Sequence, residues 1–187
     1  MDKKKAYDKI TRYLKSHYIK YFCDIYENTE QINMAYNGYP NCPDNTIESC
    51  IFFHSNCMEY RAYFTNLGAE ICRNSSCRTE LFRLFNFINA MVWPCVTDVY
   101  ASNLYHPSYL YTPRIYMTED GCYDITATIV IPYDFYEVAQ LETEDYLTAC
   151  IPELMDNLSV VIFGLLLEQF SIEEAINFVK TEVLNEK

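Results

Sequence analysis

Nine cysteines and three histidines are the residues of this 187-residue chain best suited to chemistry, as metal ligands or as a thiol nucleophile with its base. A structural zinc site usually draws its thiolates from a close C-x2-C pair joined by a second Cys or His pair. No such pair occurs: Cys72 and Cys77 have four residues between them, and Cys42, Cys50 and Cys57 precede them at wider gaps. Thiol catalysis needs a base beside the sulfur in an electropositive setting. His17, His54 and His106 fall instead on a predicted helix, strand and loop, and none is marked as the partner of a cysteine. Carboxylates gather at Glu119-Asp120, at Glu142, Glu144 and Asp145, and at Glu173-Glu174. Each group has a simpler role, at a hairpin turn, a helix N-terminus or a capping box. With only four glycines, phosphate-cradling loops are absent. The expectation is a protein without catalytic, cofactor-binding or metal-binding residues, and no enzyme.

Half of the residues are apolar, which excludes a disordered chain. The 18 Tyr and 11 Phe suit half-buried sheet faces and contact surfaces as well as a dry core. A net charge of −12 repels phosphate and argues against nucleic acid as a partner. Residues 1–20 hold seven Lys/Arg against two Asp, while residues 134–187 hold twelve Asp/Glu against two Lys. A basic first helix and an acidic last third could pair within one chain or across a dimer. Lys3–Lys5 are followed by no apolar run, so no secretory signal is read and the thiols are expected to be reduced, in the cytoplasm. The stretch Val160–Leu167 is too short to cross a bilayer and reads as a buried helix.

One domain, 1–187, must position whatever surface does the work. Ile10, Leu14, Tyr18, Tyr21 and Ile25 recur at helical spacing and predict a helix over 4–26, followed by a loop over 27–46. Alternation predicts strands at 47–54 and 57–65, with a third, shorter one at 67–73 after Gly68. Ser75 or Ser76 can cap a helix carrying Leu81, Leu84, Phe85 and Ile88 and stopped by Pro94. An irregular connection over 93–113 carries Trp93, Tyr100, Tyr105, Tyr109 and Tyr111; connections of this length are often functional. Ile115 and Met117 lead through Asp120-Gly121, a favoured hairpin turn, to a strand from Tyr123 to Ile131 ended by Pro132. A long apolar helix over 144–169, delayed or kinked at Pro152, and a last helix over 172–185 opened by a capping box at Ser171 complete the chain. The order α-β-β-(β)-α-β-β-α-α lacks βαβ alternation and predicts an α+β fold, an antiparallel sheet of about five strands with helices packed on it.

This order, with the segment Thr79-Glu80-Leu81-Phe82-Arg83-Leu84-Phe85-Asn86-Phe87-Ile88-Asn89-Ala90, resembles YbjN-type proteins, which share their fold with type III secretion chaperones. The Asp-Gly hairpin and closing apolar helix are similar too. The loop over 93–113 is longer, and the last helix extra. The resemblance supplies no catalytic residues. It implies a non-enzymatic, chaperone- or adaptor-like module that recognises a polypeptide lying along exposed apolar surface beside the sheet, in a homodimer or a monomer. Trp93, Tyr105, Tyr109, Tyr111, Phe163 and Leu167 are the candidate partner-binding or interface residues. Two other readings stand beside it: a small enzyme with a scattered active site, and an acidic mimic of nucleic acid that occupies a basic protein.

Overall fold

The computed structural model describes residues 1–92, 95–97, 105–107 and 113–184, and the side chains of 1–92 and 113–184. Helix α1 (Lys3–Ser16) opens where the Asp2 carboxylate accepts the Lys5 amide at 2.8 Å. It buries Ala6, Ile10, Tyr13 and Leu14. The helix ends ten residues earlier than its periodicity predicts. Tyr18 adopts a left-handed φ of 57° and reverses the chain into β1 (Tyr21–Tyr26). Glu27 and Asn28, at φ 47° and 65°, form the two-residue turn to β2 (Thr29–Asn37), closing the pair Tyr26–Thr29. Tyr18, Tyr21 and Ile25 satisfied a helical spacing by coincidence, and aromatic and β-branched residues favour the strand.

Strands β3 (Thr46–Phe53) and β4 (Cys57–Phe64) then extend the meander. The predicted strand at 67–73 is instead helix α2 (Asn66–Asn74). Ser75 caps a short 3-10 turn before α3 (Leu81–Met91). Within the predicted irregular connection, β5 (Cys95–Thr97) and β6 (Tyr105–Pro107) pair as a small separate ribbon. Strand β7 (Arg114–Met117) pairs with β8 (Ile125–Pro132). Their connection is longer than the two-residue Asp-Gly turn expected, with positive φ at both Gly121 and Tyr123.

The large sheet is antiparallel, has six strands rather than five, and runs β1-β2-β3-β4-β8-β7. β4 alternates strictly between half-buried and buried residues, the mark of a sheet covered by helices on one side. Helices α4 (Tyr133–Val138) and α5 (Gln140–Asp145) lead through a π turn at Tyr146–Cys150 into α6 (Ile151–Leu166). That wider turn absorbs Pro152, which has no N–H to give the helix ladder, so the chain runs helically from Gln140 to Leu166. By length, and by the mean hydropathy of 1.6 of its most apolar 18 residues, this stretch could cross a membrane, but 67% of those residues are buried within the fold. Leu158, Val161, Ile162 and Leu165 are fully buried, and the Phe163 ring meets Phe64 edge-on at 4.9 Å. Helix α7 (Ile172–Phe178) begins with the expected reciprocal bonds between Ser171 and Glu174, and its last turn is π-type over Val179–Val183. The basic first helix reaches the acidic third of the chain through Met1, whose amino group meets Asp134 and Glu137, and through Lys9, which donates to Gln140.

Candidate binding surface at the free edge and open face of the sheet

The strand register fixes which side chains share the face that lies opposite the helices. One row runs Phe22, Asn33, Cys50, Arg61, Thr128 and Arg114 from edge to edge. A second runs Asp24, Gln31, Phe52, Glu59 and Val130, and a third Ala35, Glu48, Tyr63, Thr126 and Tyr116. This open face mixes rings and charges at alternate positions, where a solvated antiparallel sheet carries polar residues.

Its centre is organised around Glu59. The carboxylate accepts from Arg61 Nε at 2.7 Å and lies 3.3 Å from His54 Nε2. Burial would raise its pKa, but the hydrogen bond and charge of Arg61, helped by His54, hold it below the ordinary value. The guanidinium of Arg61 sits 4.9 Å over the Phe52 ring, which stacks on His54 and meets Tyr26 edge-on. The arrangement fixes Arg61 in one orientation and leaves its side chain 41% exposed. Beneath it, the Cys50 thiol is pushed up to about 12 by burial, which makes it a poor nucleophile. The buried Cys42, at about 12, and Cys72, at about 11, are raised for the same reason.

Toward β1 the face falls into a depression of about 350 Å³ lined by Lys20, Phe22, Asn33, Ala35, Glu48 and Tyr63. The Asn33 side-chain amide nitrogen there is buried without a hydrogen-bond partner among the described residues. A donor in that position costs about 1–3 kcal/mol until an acceptor reaches it.

β1 itself is the edge. Among the described residues only β2 pairs with it, and its residues from Phe22 to Tyr26 are all exposed. The Ile25 amide donates at 2.8 Å to the neighbouring Asp24 carboxylate. Backbone groups alternate in direction along a strand, so Tyr21, Cys23 and Ile25 turn theirs to the free edge while Phe22, Asp24 and Tyr26 bond β2. Phe22 (62% exposed), Ile25 (67%) and Tyr26 (57%) flank those groups. Edges of this kind are normally blunted, and here the Asp24 carboxylate covers one amide.

Trp93, Tyr109 and Tyr111 fall outside the described residues, as does the side chain of Tyr105 on β6. Phe163 is packed between the sheet and Gly68 in the core. Leu167, just past α6, is half exposed. Neither residue adjoins β1. Sequence periodicity hides this edge because Tyr21 and Ile25 also fit a helical period; the competing signal is the six-residue run Tyr21-Phe22-Cys23-Asp24-Ile25-Tyr26, ahead of Asn28. No protein-family model, curated protein or solved structure matches the chain.

Proposed function

We propose that the protein is a non-enzymatic polypeptide-binding module of the cytoplasm, chaperone- or adaptor-like, whose partner adds an extended segment to β1. One observation carries this reading: β1 turns the backbone groups of Tyr21, Cys23 and Ile25 to an edge that no other described strand pairs, between exposed apolar side chains, with only the Ile25 amide covered, by Asp24. Strand addition uses such an edge for affinity and the flanking side chains for selection. The depression beside it, with the unpaired Asn33 amide, supplies a place for one partner side chain bearing an acceptor. The resemblance to YbjN-type proteins and their secretion-chaperone relatives points the same way.

Cys23→Pro tests it. Cys23 turns its N–H to the free edge, so proline there removes a group the sheet does not use and blocks an incoming strand. The variant is expected to fold as the wild type does and to lose the partner that the wild type captures. Amide exchange at residues 21–26 should slow on capture. Capture that leaves those amides as fast as in the free protein would refute the reading.

A further inference from the structure

We infer that the strand received by β1 is β1 of a second copy, paired antiparallel about a two-fold axis at Phe22. The inference rests on the strand-addition reading and names its occupant. Two copies that join edge to edge into one continuous sheet must keep their open faces on the same side, so each residue meets one of its own parity. Three such registers keep most of β1 paired. With Asp24 on the axis, two carboxylates face each other. With Cys23 on the axis, Phe22 faces the partner's Asp24, and Lys20 faces the partner's Tyr26. With Phe22 on the axis, the two Phe22 rings meet, and Lys20 faces the partner's Asp24 on both sides of the axis.

The third register alone is complementary in charge and in apolar surface. On the helix side it sets Ile25, 67% exposed, against the partner's Ile19. The backbone agrees. Tyr21 and Cys23 turn their groups outward and would bond each other across the interface in both directions. The Ile19 amide is already given to the Leu14 carbonyl at 2.9 Å, which leaves the Ile19 carbonyl to receive the partner's Ile25 amide. That amide is held by Asp24 in the single chain. In the pair, Asp24 exchanges it for Lys20. The acidic residue that shields the edge from strangers thus becomes the residue that selects the copy.

Sedimentation and cross-linking of the full chain test this. The wild type is expected to dimerise with concentration. Lys20→Asp and Asp24→Lys should each weaken the dimer by roughly tenfold or more, since the axis repeats every lost pair and like charges then face. The double variant Lys20→Asp/Asp24→Lys should restore it. A pair not bonded through its backbone brings Cα atoms within about 4.5 Å, inside the reach of a disulfide. Phe22→Cys in a Cys23→Ser background should therefore oxidise to a covalent dimer. A wild type that remains monomeric at high concentration overturns the inference, as does spontaneous Cys23–Cys23 cross-linking or a double variant no better than the singles. If the protein is monomeric yet the amides of 21–26 slow when another polypeptide is captured, the self-pairing falls and the strand-addition reading stands. If neither dimer nor protection is found, both fall.

Discussion

The Asp156 carboxylate of α6 receives the backbone amide of Asn41 at 3.0 Å and the side-chain amide of the same residue at 2.9 Å. This two-point grip ties the connection between β2 and β3 to the central helix, with Asp156 only 8% exposed. Asp156→Ala should cost about 1.5–3 kcal/mol, because two hydrogen bonds to a charged acceptor are lost, while the exposed Asn41 can turn its amides to water. Denaturant unfolding measures it. A loss below about 0.5 kcal/mol would mean that water replaces the carboxylate freely.

Glu144 is 2% exposed, and its carboxylate accepts from the Tyr136 hydroxyl and from Gln140. Burial raises its pKa above the ordinary 4.5 despite those hydrogen bonds. A carboxyl raised in the folded state favours folding while it is protonated, and that contribution fades as pH climbs through the folded pKa. The wild type should therefore lose stability as the pH rises from the ordinary carboxylate value toward neutrality. Glu144→Gln should remove that slope. Parallel curves for the two proteins would show that Glu144 titrates as it does in the unfolded chain.

Tyr60 is fully buried on the helix side of β4, and neither its hydroxyl nor that of Ser49 has a hydrogen-bond partner among the described residues. Burial also pushes the nearby Tyr36 up to about 12. Removing an unpaired buried hydroxyl is neutral or favourable. Tyr60→Phe is expected to match or exceed the wild type in thermal stability. A fall in Tm would mean that the hydroxyl is paired after all.

A Cβ built on Gly68 would lie 2.7 Å from the Phe64 Cβ and 3.2 Å from the Phe163 ring. The first contact is with the root of a side chain, which cannot swing away. Gly68→Ala should destabilise by about 1–3 kcal/mol through overpacking, although alanine suits a helix better than glycine. A stabilised variant would show that α2 can slide off β4.

Gly68 also shows where the sequence was ambiguous. Gly68, Ala69, Ile71 and Cys72 are compatible with a short strand, and only the close approach to Phe64 and Phe163 explains the glycine. Phe64 is only four residues away, but Phe163 lies far along the chain, and the packing of α6 that brings it there leaves no local signature. The helices built on strong stripes, such as α3 on Leu81, Leu84, Phe85 and Ile88, were legible, as were β3, β4 and the Ser171 capping box. α6 was legible as a buried helix because eight consecutive apolar residues leave no polar side to present to water. The β1 edge was not, since its residues fit both periods and the residue that ends α1, Tyr18, is a poor left-handed residue that no turn rule favours.

The sheet order gives this chain an assembly sequence. Every neighbouring pair of strands in β1-β2-β3-β4 is consecutive, and so is β7-β8; only β4 against β8 joins segments remote in the chain. The four-strand meander and the β7–β8 hairpin can each form quickly from local contacts. Zipping Cys57–Tyr63 onto Thr126–Pro132 closes a loop of the whole intervening chain, at a cost of roughly 4 kcal/mol before any contact is made. That closure is the natural rate-limiting step. Until it occurs β4 and β8 are both bare edges in the middle of the future sheet, and a newly made chain carries four pairing edges where the finished sheet carries two, β1 and β7.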